Sequence, residues 1–235
     1  MDDFQERMLD GVTELRFSLA VDGEHVPALF FVPESDEPAP LVIIQHPATS
    51  SKDDYFVRDV ALSWASRGWI CGGLDAPFHG DRATHDPMRV LRDHDGFAAL
   101  SARFAAEVSA TIDAMAARYA VDLGRLGYVG YSMGSMLGIP AVAADGRFKA
   151  AAFCLVGEGG LLGAAAAAGS PVAKLGRVAV RIVGKTQDEF FSKEATEALF
   201  TALPGEKNLH WLPGGHFEIG PDVINAAGEW LTAKL

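Results

Sequence analysis

Residues 126–134 read Leu126-Gly127-Tyr128-Val129-Gly130-Tyr131-Ser132-Met133-Gly134. A short apolar run enters a small-residue frame, G-x-S-x-G over 130–134, and continues into a segment of helical composition at 132–144. Such a frame suits a sharp strand-to-helix turn, which lifts the central hydroxyl out of the fold and aims it at substrate. The chain holds 25 glycines, so the frame alone arises easily by chance. Its position between an apolar run and a helix gives it weight.

Two further groups extend the reading. Asp188 follows an apolar, strand-like run, and His216 closes the tight Gly214-Gly215-His216 sequence. The chain order Ser132, Asp188, His216 is the order expected for this kind of turn. A serine hydroxyl is a weak nucleophile until an imidazole takes its proton. A carboxylate then holds the imidazole tautomer and stabilises the cation that forms. Glu189, beside Asp188, is the alternative acid, and His46, His79 and His210 are alternative bases; His210 sits within an apolar run and reads as structural. The expected chemistry is serine-dependent hydrolysis through an acyl-enzyme.

Strand-like and helix-like segments alternate around this stretch. Residues 12–19 and 25–32 read as an antiparallel hairpin through Asp22-Gly23. Leu41-Val42-Ile43-Ile44-Gln45 is nearly all apolar, as a strand buried on both faces should be. Residues 53–67 carry apolar side chains at helical spacing and end at Gly68. A strand follows at 69–74, a long alanine-rich helix at 97–119, strands at 126–130, 150–156, 178–183 and 209–212, and a closing helix at 223–233. The expectation is one α/β domain over 1–235, with about eight strands in a mostly parallel sheet, helices on both faces and a minimal cap or none. Only the loop at 75–95 and the segment at 161–168, with five consecutive alanines, offer themselves as covers for a site.

Composition narrows the function. The chain has 235 residues, is 49% hydrophobic and carries a formal charge of -11. That acidity argues against nucleic acid or an anionic membrane as partner. Cys71 and Cys154 lie in apolar stretches and read as buried thiols of a reducing compartment. With no secretory signal and no membrane-length apolar run, the expected location is the cytoplasm. The histidines and aspartates of 84–95 match no metal-site spacing and read as a solvated loop, and no phosphate loop is present. No metal or cofactor is expected. Monomer and homodimer both remain open.

An oxyanion needs two converging N–H donors. Met133, the residue after the serine, supplies one. The other is expected from His46-Pro47-Ala48-Thr49, where Pro47 has no N–H, so Ala48 is preferred and Thr49 is the alternative. His46 is expected to shape that loop through its ring, and Asp75 and His79 to brace the loop after 69–74. Candidate pocket residues are His46, Phe78, Tyr131, Phe190 and Phe217, with Phe191 nearby.

Taken together, the elbow Gly130-Tyr131-Ser132-Met133-Gly134, the His46-Pro47-Ala48 loop, Asp75-Ala76-Pro77-Phe78-His79-Gly80, Asp188 and Gly215-His216 make the chain resemble the α/β-hydrolase superfamily. Compact size places the resemblance among the dienelactone hydrolase-like esterases. Members named for dienelactone cleavage use cysteine where this chain has Ser132, and the superfamily usually has glycine where Pro47 stands. The resemblance implies hydrolysis of a small carboxylic ester. The alternatives are a peptidase or thioesterase of small substrates, or a noncatalytic ligand-binding protein on the same fold.

Overall fold

The computed structural model describes residues 1–92, 96–163, 165, 167 and 169–235. Its strands are β1 (Asp2–Leu9), β2 (Val12–Val21), β3 (Glu24–Pro33), β4 (Ala39–Gln45), β5 (Ile70–Leu74), β6 (Val121–Tyr131), β7 (Phe148–Cys154), β8 (Ala179–Lys185) and β9 (Lys207–Leu212). Its α-helices are α1 (Tyr55–Ala65), the single turn α2 (Arg89–Arg92), α3 (Phe97–Ala116), α4 (Met133–Ala144), α5 (Lys193–Ala202) and α6 (Pro221–Lys234). The strands form one sheet in the order β1-β2-β3-β5-β4-β6-β7-β8-β9. From β5 to β9 every pairing is parallel, whereas β1, β2 and β3 run antiparallel into the edge of β5. This is the α/β-hydrolase arrangement.

The sequence pattern explains the layers. Every residue of β4 is buried, as its unbroken apolar run requires of a strand covered on both faces. On one face Phe30, Tyr128 and Phe153 pack with Phe104 and Val108 of α3 and Leu137 of α4. On the other, Phe31, Ile44 and Val129 pack with Val57 and Trp64 of α1 and Leu231 of α6. The stripe Phe104, Val108, Ile112 and Met115 of α3 is wholly buried, as its spacing implies.

Besides the single turn α2, which forms within the 84–95 stretch read as a loop, two elements depart from expectation. The sheet has nine strands, not eight, because β1 adds an outer edge. Its sequence, DDFQERML, is mostly exposed and lacks apolar alternation. The ladder to β2 holds it, and the Arg118 guanidinium sits 3.9 Å from the Phe4 ring centroid. Residues 193–202, given no element by pattern, form α5; only Thr196 and Leu199 are buried, too narrow a stripe to stand out. Ser192 caps it by accepting the Ala195 N–H at 3.2 Å. Between β7 and β8 the described residues form only two short 3-10 turns, so no bulky cap arises there. Residues 93–95 and 164, 166 and 168 of the two expected covering segments lie outside the described residues.

Candidate active site

Ser132 stands alone between β6 and α4, with φ 50 and ψ -111. A non-glycine residue held there costs about 1–3 kcal/mol and persists only where its surroundings over-determine it. The surroundings here do so. The Ser132 N–H donates to Cys154 O at 2.9 Å. Ser135 Oγ–H reaches both Gly130 O at 2.7 Å and Cys154 O at 2.8 Å. A Cβ on Gly130 would lie 2.5 Å from Gly134 O, and one on Gly134 would lie 2.4 Å from Gln45 O. The two glycines of the frame are therefore required by close approach of backbone to backbone.

Three loops at the carboxyl edge of the parallel strands meet at this serine. The Ser132 hydroxyl is 2.8 Å from Nε2 of His216, and Nδ1 of the same ring is 2.8 Å and 3.0 Å from the Asp188 carboxylate oxygens. With Nδ1–H donated to Asp188, Nε2 of the neutral ring is free to accept the serine proton. Burial alone would raise the Asp188 carboxyl. The hydrogen bond with His216 and the N–H groups of Phe191 and Phe190 outweigh it and hold the carboxyl below its usual value. Glu189 turns elsewhere: its carboxylate accepts the backbone N–H of His216 at 2.7 Å. Glu218 likewise accepts the Gly215 N–H at 2.8 Å, and Tyr55 Oη–H donates to Ile219 O. The loop carrying His216 is thus tied down at several backbone points.

The N–H of Met133 opens α4, so it has no partner within the helix. Ala48 and Thr49 lie across the same cleft. Beneath them His46 is fully buried: Nδ1 donates to Pro47 O at 2.7 Å and Nε2 accepts the Ala76 N–H at 3.0 Å. Burial lowers its pKa to about 3, so the ring is neutral. Asp75 is also buried and accepts from the backbone of Lys52 and Asp81 at 3.0 Å and 2.8 Å. Lys52, which pattern did not single out, lies among Asp53, Asp75 and Asp81 with contacts of 2.7–2.9 Å. Burial opposes its charge, but hydrogen bonds with Asp75 and Asp81 outweigh that and stabilise the ammonium. Asp75 and His79 brace the loop: His79 Nδ1 donates to Pro77 O at 2.9 Å.

The cleft above Ser132 has a volume of about 620 Å³ and is walled mainly by apolar side chains. Phe190 and Phe217 line it, together with Tyr55, Phe56, Met136 and Phe191. The other expected pocket residues do not. His46 is enclosed under its loop. Phe78, at φ 69, faces a separate depression beside Phe97 and Leu100. Tyr131 is buried in the core on the α1 side, 5.9 Å from Phe56 between ring centroids. Tyr55, Phe56 and Met136 carried no signal in sequence, because their helical spacing reads equally as core. Among the described residues no three His, Cys, Asp or Glu side chains are grouped as metal ligands. Asp93, His94 and Asp95 of the loop read as solvated lie outside the described residues.

No protein-family model matches the chain, and no curated protein does. Solved structures do. A cold-adapted esterase from an Arctic intertidal metagenomic library, in a PEG-bound form, is 28% identical with a TM-score of 0.83, covering 98% of this chain and 97% of that one. Its native form gives 26% identity and a TM-score of 0.74, with 97% of each chain covered. A dienelactone hydrolase from Anabaena variabilis shares the fold at 17% identity and a TM-score of 0.72, covering 96% of this chain and 100% of that one.

Proposed function

We propose that this chain, an α/β-hydrolase homologous in structure to the dienelactone hydrolase-like esterases, is a serine hydrolase that cleaves small carboxylic esters. The observation that carries the reading is the continuous hydrogen-bonded line from Ser132 through His216 to Asp188, set at a strained elbow in an apolar cleft. Ser132 Oγ adds to the ester carbonyl carbon while its proton passes to Nε2 of His216. The N–H groups of Met133 and Ala48 hydrogen-bond the oxyanion. The carbon–oxygen bond then breaks, and the alcohol departs with the proton from Nε2. Water adds to the acyl-enzyme, giving a proton to Nε2, and Ser132 leaves with that proton as the acid is released. Asp188 holds the ring and stays ionised throughout.

The whole chain acts as one catalytic domain in this reading, with the cytoplasm as its location. The free thiols Cys71 and Cys154 support that compartment. No helix among the described residues is long and apolar enough to cross a membrane.

The test combines labelling with turnover. A fluorophosphonate should add once to the parent protein and not to Ser132→Ala. The same substitution should lower kcat on an activated ester by about 10⁴-fold or more. Esters should outpace matched thioesters and amides. Labelling that persists in Ser132→Ala would sink the assignment.

A further inference from the structure

The cleft carries little charge. Among the described residues lining it, Asp54 is the one carboxylate, and no lysine or arginine is present. The residues outside the description are Asp93, His94, Asp95 and three alanines, so they add no lysine or arginine either.

Nearby cations are committed elsewhere. Lys52 is held among Asp53, Asp75 and Asp81. Lys185 is tied to Asp222 at 2.7 Å and Pro213 O at 3.0 Å. Next to the wall residues Met88 and Leu91, Arg89 lies over the Phe78 ring and Arg92 pairs with Asp86.

Helix N-termini are the remaining source of positive potential at this edge. The N-terminus of α4 faces the oxyanion position. At that of α1 stands the N-cap residue Asp54, whose carboxylate accepts the Ser51 N–H at 3.1 Å and the Ser50 hydroxyl, bonds none of the helix's own N–H groups, and offsets the positive potential of that end by its charge. Glu189 and Glu218, engaged with the backbone of the His216 loop, add negative potential behind the imidazole. An anionic group in this cleft would give up its hydration and gain no counter-charge.

We propose that the site, taken as the serine esterase described above, selects esters uncharged on both sides of the scissile bond and rejects those bearing a carboxylate, with Asp54 setting the preference. Aromatic walls receive the apolar group: Phe190 and Phe217 stand edge to face at 5.5 Å, and Phe217 is 78% exposed at the rim. The structure therefore assigns neutral, apolar acyl or alcohol groups to the substrate, in place of dicarboxylic half-esters.

Three para-nitrophenyl esters of matched length test this: the butyrate, the hemisuccinate, and the succinate whose second carboxyl is capped as a methyl ester. The capped ester separates size from charge. For the parent protein, kcat/KM on the hemisuccinate, after subtraction of its spontaneous hydrolysis, should fall at least about tenfold below that on the capped ester. Asp54→Asn should narrow that ratio, and so should about 0.5 M salt, which screens the partly exposed carboxylate. Phe217→Lys, which adds an ammonium at the rim without touching Asp54, should narrow it independently. Equal rates on the two succinates, or a ratio indifferent to both substitutions and to salt, would overturn the proposal. Failure of the esterase reading looks different: no ester would be hydrolysed faster by the parent than by Ser132→Ala, and the charge preference would fall with it.

Discussion

Asp188 and Glu189 are chain neighbours of the same charge, yet they hold His216 in different ways. Asp188 takes the ring Nδ1–H, and Glu189 takes the main-chain N–H. A Cβ on Gly215 would lie 2.7 Å from Glu189 Oε1, so the loop glycine makes room for this carboxylate. Phe190 and Phe191 then flank the imidazole at 4.7 Å and 5.7 Å between ring centroids. Residues 188–191 therefore work as one clamp on the histidine. Glu189 is exposed, and its bond to a backbone N–H is charge-assisted. Glu189→Ala should lower kcat by about tenfold with KM little changed, because the catalytic ring loses registration while the apolar cleft stays intact. Glu189→Gln, which keeps an acceptor oxygen, should recover most of that loss. Steady-state kinetics on one neutral ester separates the two outcomes; an equal loss in both variants would mean that charge, not position, matters.

At the scale of elements, the elbow is the place where β6, α4 and the loop after β4 come within backbone contact. Gly134 is buried against Gln45 O and His46 O, so an added methyl has only main chain to displace. Gly134→Ala should destabilise the protein by about 1–3 kcal/mol, or more if the loop cannot shift. It should also depress kcat further than the loss of folded protein explains, since the same loop carries Ala48. Urea titration beside active-site labelling measures both effects. A fully stable and fully active Gly134→Ala protein would contradict the close approach.

Across the whole molecule, the site rests on a layer of buried polar groups. The buried Lys52 and Asp75, with the exposed Asp81, join the loop after β4 to the loop after β5, and Arg82 grips the buried Glu107 of α3 with bonds of 2.8 Å and 2.9 Å. The His46 and His79 rings lie beside them, 5.4 Å apart between centroids and tilted 46° to each other. Burial lowers the pKa of both rings, that of His46 from 6.5 to about 3. For His46 the unfolded chain binds the proton more readily than the folded one. Its contribution to stability is therefore full above pH 6.5 and is lost progressively as pH falls toward about 3. Melting temperature should decline over that interval, and His46→Gln should show a shallower decline from a lower starting point. A melting temperature flat between those limits would contradict a neutral buried ring.

Much of this was legible in sequence because it depends on local geometry. Strand and helix periods, the small-residue frame at 130–134 and the order of Ser132, Asp188 and His216 follow from backbone sterics and burial over short stretches. They pointed to the α/β sheet and to Ser132 as the candidate nucleophile. β1 and α5 escaped because neither buries a regular apolar stripe. Tertiary structure alone decided how the neighbouring carboxylates share His216 and which aromatic rings face the cleft. It also enclosed His46 and placed Asp54 in the cleft wall. These outcomes join residues far apart in the chain, 84 between Ser132 and His216 and 28 between Asp188 and His216. They are set by the angle at which separate loops meet over the sheet edge, a quantity no local period encodes.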